Sequence, residues 1–155
     1  MKERYVGSCP FQITANQYLI YQGYKIHSTS AFSYRKKFAR YIDEDKTFGK
    51  IRSCGGFDTV VFTEERLIGV EVKPEFSLTE FERALGEVIK HLISKFWSIR
   101  IEEGMIVMPF NNLGTPKVMM SKKRLKEEMG YTLAKCGYPI SLNLLPVPCK
   151  IYDGN

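Results

Sequence analysis

The sequence predicts an α/β domain in which a mixed central sheet is flanked by helices, and three observations carry that prediction. Strand-like runs alternate with helical periodicity along the chain, two of the runs form a hairpin with a short charged turn, and a capped amphipathic helix follows the hairpin directly. At 155 residues, with 44% hydrophobic and 26% charged residues, the chain has the size and balance of a single domain, 1–155, with a substantial core. Twelve glycines and seven prolines, spread among large apolar side chains, exclude collagen-like and wholly disordered classes. Apolar runs of the length of Met105 to Phe110 are far short of the roughly 20 residues that span a bilayer, and the segment after Met1-Lys2-Glu3-Arg4-Tyr5 lacks a secretory pattern. A cytoplasmic protein with no membrane partner is the expectation.

The first element is a helix over Thr14 to Gln22, closed by Gly23. Tyr24-Lys25-Ile26-His27 then alternates as a half-buried strand. From Ser28 to Gly56 the chain becomes polar and aromatic, which reads as an insertion, 28–56, joining two strands. Phe57 to Phe62 and Leu67 to Lys73 form an antiparallel hairpin across Thr63-Glu64-Glu65-Arg66, and Pro74 ends it because proline cannot donate to the ladder. Ser77-Leu78-Thr79-Glu80 is a capping box, and Leu78, Phe81, Leu85, Val88, Leu92 and Phe96 give the following helix one apolar face out to about Trp97. Gly104 to Phe110 predicts a strand, Ser121 to Lys135 a basic helix closed by Gly137, and Pro139 to Val147 a last extended segment.

The hairpin register makes a chemical argument. With the turn centred between Glu64 and Glu65, Thr63 faces Arg66 and Asp58 faces Glu71, so two carboxylates project from one face with Cβ atoms about 5 Å apart. Lys73, two residues on, shares that face, while Val70 and Val72 point away. Two adjacent carboxylates are held together by a shared proton, by the lysine, or by a divalent cation. Magnesium suits the last case, since it prefers hard oxygen ligands and leaves positions for water and a phosphate. Lys73 would then orient or deprotonate the attacking water or stabilise transition-state charge.

Asp58, twelve intervening residues, and Glu71-Val72-Lys73, on a hairpin followed by a helix and a strand, resemble the PD-(D/E)xK nuclease superfamily. The closer resemblance is to archaeal Holliday-junction resolvases, in which a helix ends in a Gly-aromatic step before a strand, as Gly23-Tyr24-Lys25-Ile26 does. The resemblance covers roughly Gln12 to Phe110 and implies a restriction-endonuclease-like fold. It also implies a magnesium-dependent DNA endonuclease, with manganese able to substitute, acting on branched DNA as a homodimer. Asp58 and Glu71 would hold the ion, the Val72 carbonyl would add a ligand, and Lys73 would be catalytic. The resolvases carry a glutamate on the first helix; here that region is Phe11-Gln12, and no acid occurs from Tyr5 to Ile42. Glu44 in the insertion is a candidate replacement, although Asp43-Glu44-Asp45 also reads as a solvated loop. Glu87 and His91 have the spacing of a Gln-x-x-x-Tyr pair found on the corresponding helix of the wider superfamily, yet lie far from the apolar face, so solvent exposure is expected.

Other readings stand beside this one. A Glu-x-Lys triplet arises readily by chance, and Glu44-Asp45-Lys46 is a second copy. As a surface pair, Glu71 and Lys73 would contribute under about 1 kcal/mol. Arg35, Lys36, Lys37 and Arg40, interleaved with Phe32, Tyr34, Phe38 and Tyr41, suit nucleic-acid contact or an amphipathic helix packed on the core. Lys122-Lys123-Arg124-Leu125-Lys126 reads as a solvated helix face. Twenty-three basic against seventeen acidic residues give a net charge of +6, which favours polyanions without requiring them. A catalytically inactive nucleic-acid-binding module and a protein-interaction domain are the alternatives. Cys9, Cys54, Cys136 and Cys149 lack zinc-site spacing and are expected to be reduced thiols.

Overall fold

The structure is a computed structural model, and it describes residues 3–4, 11–29, 56–64, 66–94 and 101–147. The elements are β1 (Glu3–Arg4), α1 (Phe11–Tyr21), β2 (Lys25–Thr29), β3 (Thr59–Thr63) and β4 (Arg66–Val72), then β5 (Glu75–Phe76), α2 (Leu78–Ile93), β6 (Glu103–Asn111), α3 (Pro116–Lys135) and β7 (Ile140–Val147). Five strands form one sheet in the order β2-β3-β4-β6-β7. The β2, β3 and β4 pairings are antiparallel, whereas β4 to β6 and β6 to β7 are parallel, because α2 and α3 carry the chain back across the sheet between those strands. The mixed α/β class is therefore as the sequence predicts: among the described residues, a five-stranded mixed sheet flanked by three helices.

Period-2 alternation sends the strand side chains into two cores. Val60, Phe62, Leu67, Ile106 and Met108 meet Phe81, Ala84 and Val88 of α2 and Met129 and Leu133 of α3 on one face. Val61, Ile68, Val70, Met105 and Val107 meet Phe11, Ala15 and Leu19 of α1 on the other. Ser77 caps α2 as expected, its Oγ accepting the Glu80 N–H at 3.2 Å.

Several boundaries differ from the sequence reading. α1 begins at Phe11 rather than Thr14, and its buried face includes Thr14 and Asn16, so apolar periodicity alone understates it. β2 is not half-buried: a bulge between Ile26 and Ser28 inserts His27 and turns both Ile26 and His27 inward. Past the bulge, Ser28 and Thr29 still pair with Val60 and Thr59, so they belong to the sheet rather than to an insertion. Beyond Pro74, Glu75–Phe76 pairs with Glu3–Arg4 as a separate two-stranded ribbon. α2 ends at Ile93, short of Trp97, where Ser94 takes extended backbone, and Leu78 is 43% exposed rather than on the apolar face. α3 starts five residues before Ser121, because Thr115 accepts the Val118 N–H at 3.2 Å and Pro116 occupies the first turn, where no N–H is needed.

Lys122 departs most from expectation. Rather than facing solvent with its basic neighbours it is 2% exposed, and its ammonium donates to the carbonyls of Asn111 at 2.8 Å and Leu113 at 3.4 Å. It ties the start of α3 to the end of β6. Cys136 is a free, half-buried thiol; Cys9, Cys54 and Cys149 lie outside the described residues. No described helix is long and apolar enough to cross a membrane.

Candidate functional site

The β3–β4 register is the one the turn predicts, with Thr63 opposite Arg66 and Thr59 opposite Val70. Asp58 stands one residue before β3, where the ladder becomes irregular. Its N–H donates to the Val70 carbonyl at 3.0 Å, and its Oδ2, not a backbone oxygen, accepts the Val72 N–H at 2.8 Å. That bond aims the Asp58 carboxylate at the end of β4. Glu71 is 4% exposed on the α2 side of the sheet, and its carboxyl group is in hydrogen-bonding contact with Asp58 and with Glu87 of α2.

Lys73 follows as β4 ends. Its N–H donates to the Val107 carbonyl of β6 at 2.9 Å, and its ammonium donates to both carboxylate oxygens of Glu87, each at 3.2 Å. The Lys73 side chain is 16% exposed against 44% for Glu87, so the pair spans the rim of the site with the carboxylate outermost. His91, one helical turn after Glu87, places Nε2 3.9 Å from Glu71 Oε1 and meets the Phe57 ring edge-on, with centroids 5.3 Å apart.

Two glycines make room for this arrangement. Gly56 has φ +90, and a Cβ there would lie 2.5 Å from His91 Nδ1. A Cβ on Gly69 would fall 2.3 Å from the Phe57 ring, which lies over β4 only because position 69 has no side chain. Phe57 in turn packs edge-on against His91.

Burial dominates the electrostatics. It pushes the Glu71 carboxyl up to about 9, and the neighbouring charges of Asp58 and Glu87 push in the same direction. Burial also raises Asp58, against the opposing pull of the Val72 N–H, the Glu71 contact and Lys73. For Glu87, hydrogen bonds from Glu71 and Lys73 outweigh desolvation and hold it below the usual range. Desolvation, helped by Lys90, lowers His91 from 6.5. At neutral pH both Glu71 and His91 are therefore uncharged, and their 3.9 Å contact is not an ion pair.

This site can keep a proton on a buried carboxyl pair or exchange that proton for a cation. Among the described residues no three His, Cys, Asp or Glu side chains are grouped to hold a metal. A set of two carboxylates with one backbone carbonyl does fit magnesium, which keeps several waters and binds through one or two carboxylates rather than through a closed protein cage. Zinc sites are usually built around His or Cys donors, which that set lacks.

The sequence-predicted residues Asp58, Glu71 and Lys73 are thus brought together, and Val72 lies between the last two with its N–H committed to Asp58. Glu87 joins them. The expectation of solvent exposure holds in part for Glu87, whose side chain is 44% exposed at the rim, and not for His91, whose side chain is 16% exposed. The helical wheel locates them relative to the apolar face of α2, but β4 ends beside that flank and sends Glu71 and Lys73 up against it. Their i, i+4 spacing after a capped helix start was the available signal. Gln12, on α1, donates from Nε2 to the Asp58 carbonyl at 3.1 Å. Glu44, Arg35, Lys36, Lys37 and Arg40 lie outside the described residues. No protein-family model, curated protein or solved structure matches the chain.

Proposed function

We propose that the chain is a magnesium-dependent DNA endonuclease of the PD-(D/E)xK type, with a restriction-endonuclease-like fold. The observation that carries this reading is the convergence of Asp58, Glu71 and Lys73 at the end of β4, with the Glu71 carboxyl buried and pushed up to about 9. A buried carboxyl pair that needs a compensating positive charge beside a lysine is costly to stability alone, and useful where a cation and a phosphate are to be handled together.

Asp58, Glu71 and the Val72 carbonyl would hold magnesium, with manganese as a substitute. The chemistry such an ion supplies when bound is Lewis-acid stabilisation of the charge that builds on a phosphate under attack by water. The chain's own contributions are separate. The Val72 N–H fixes the Asp58 carboxylate, and His91 of α2 closes one side together with Phe57 from the segment before β3. Glu87 holds the Lys73 ammonium at the rim, 3.2 Å from each of its oxygens. From there Lys73 can swing toward a phosphate oxygen or the attacking water, and a net charge of +6 assists the approach of a polyanion. DNA is the proposed partner, branched DNA the first substrate, and a homodimer the arrangement that two symmetric cuts require.

A nucleic-acid-binding module that keeps the fold without cutting is the second reading. It is favoured by one observation, that the start of α1, Phe11-Gln12, holds no acid where the resemblance implies a glutamate. Incubating labelled linear, single-stranded and four-way-junction DNA with the wild type and Glu71→Gln, with and without magnesium, separates the two. Metal-dependent cutting lost in the variant supports the endonuclease. Binding that falls with salt but is never followed by cutting supports the module. Neither binding nor cutting would refute both.

A further inference from the structure

Asp58 is gripped from both sides, and only one side belongs to the site described above. Its carboxylate takes the Val72 N–H that a regular ladder would give to a backbone oxygen. Its carbonyl is turned away from β4 and accepts Gln12 Nε2 at 3.1 Å and the Thr29 hydroxyl at 3.4 Å. Behind these lies a closed set of buried polar side chains. Thr29 and Thr59 are register partners across β2 and β3, with their hydroxyl oxygens 3.1 Å apart. Thr59 Oγ1 donates to Asn16 Oδ1 at 2.9 Å, and Asn16 Nδ2 donates to Thr29 Oγ1 at 3.4 Å. Asn16, Thr29 and Thr59 are 0%, 2% and 0% exposed.

Proton counting sets the direction of this network. The single hydroxyl proton of Thr59 goes to Asn16, so Thr29 must be the donor in its own contacts, sharing its proton between Thr59 and the Asp58 carbonyl. Asn16 supplies what Thr29 accepts. Three side chains on three elements therefore fix one hydroxyl toward one carbonyl, in an interior where an unpartnered group is costly. Apolar residues at Asn16, Thr29 and Thr59 would be the ordinary way to join α1 to a sheet. A polar set aimed at residue 58 has a second use.

We infer that Gln12 and the Asn16–Thr29–Thr59 network are positioning residues for Asp58. They hold its peptide carbonyl out of the β3–β4 ladder, so that its carboxylate is presented to Glu71 and to the Val72 N–H. α1 thereby takes part in the site through the amides of Gln12 and Asn16, joined to it by the Thr29 and Thr59 hydroxyls of β2 and β3, without an acid of its own. The functional consequence rests on the nuclease reading, whereas the positioning itself does not.

The Val72 amide proton reports the geometry directly, and the neighbouring Lys73 amide, bonded to the Val107 carbonyl, is an internal control. Amide exchange of both is measured by NMR in the wild type, Gln12→Leu, Thr29→Val and Thr29→Ser. The expected result is Val72 exchange faster by roughly five- to tenfold in Gln12→Leu and Thr29→Val, the range one hydrogen bond commands. Lys73 should be unchanged, and Thr29→Ser, which keeps the hydroxyl, should behave as wild type. Equal acceleration of both amides, or of neither, overturns the inference by reducing the network to general packing. If Thr29→Val does not fold, half-buried Gln12 carries the test alone. Cleavage of four-way-junction DNA distinguishes the two claims. A wild type that cuts should lose kcat rather than KM in Gln12→Leu. A wild type that never cuts, with a responsive Val72 amide, leaves the positioning intact and removes only the nuclease.

Discussion

Glu71→Gln should make the protein more stable at alkaline pH while disabling the site. The Glu71 carboxyl is pushed up to about 9 in the folded chain from an ordinary 4.5. A raised carboxyl gives stability that is fully present below 4.5 and lost as pH rises toward 9, because over that window the folded state keeps a proton the unfolded chain has released. One proton corresponds to a slope of about 1.4 kcal/mol per pH unit. His91 has the opposite sign, since it is lowered from 6.5, so the informative range lies above that value. Between pH 7.0 and 8.5 the wild type should lose about 2 kcal/mol, the slope multiplied by that interval. Glutamine is neutral, matches the shape of the acid and can still donate to Asp58 or Glu87, so the variant should show almost none of this loss. Urea unfolding at three pH values in that range, in chelator, reads the difference, and groups that do not touch Glu71 cancel. Equal slopes in the two proteins would refute the claim that Glu71 holds its proton in the folded state.

Three further outcomes follow from the same geometry. Magnesium should raise the thermal midpoint of the wild type near pH 8, by an amount corresponding to about 2.7 kcal/mol at a hundredfold excess over Kd, and leave Asp58→Asn unmoved; an equal rise in both would mean binding elsewhere. Gly69→Ala places a Cβ 2.3 Å from the Phe57 ring and should cost about 1–3 kcal/mol in urea unfolding, with the His91–Phe57 contact disturbed; an unchanged midpoint would show that the ring has room to move. Lys122→Met removes the ammonium from the Asn111 and Leu113 carbonyls and should cost about 1–3 kcal/mol, whereas Lys123→Met on the exposed face should cost almost nothing; similar values would contradict the buried role of Lys122.

What could be read from the sequence was what local chemistry decides. A two-residue turn sets the pairing of its flanking strands, so the register from Thr63 opposite Arg66 to Thr59 opposite Val70, which brings Asp58 close to Glu71, followed from position alone. Ser77 and Glu80 declared the start of α2 in the same way, because a cap is a contact three residues long. What could not be read depends on contacts between distant segments. The α1 face carries Thr14 and Asn16 inward because β2 and β3 supply hydroxyl partners, and no window of neighbouring residues reveals that. Lys122 looks like its solvated neighbours, and only the carbonyls at the end of β6 make its burial tolerable. His91 was read as solvent-facing, and Glu87 as free of partners, because a helical wheel knows the axis of the helix and not the strand end that rises beside it. Thr115-Pro116 was a local signal, an N-cap followed by proline, and could have moved the start of α3 to its observed place.

Single-turnover cleavage of a labelled four-way junction by the wild type and Lys73→Met, at saturating protein and in magnesium, tests the central claim most directly. Methionine keeps much of the lysine stem and removes only the charge that Glu87 holds at the rim. A magnesium-dependent cut by the wild type, slowed by at least about a hundredfold in the variant while junction binding stays intact, is the predicted result. Equal rates in the two proteins, or binding without any cut in either, would contradict an endonuclease built on Asp58, Glu71 and Lys73.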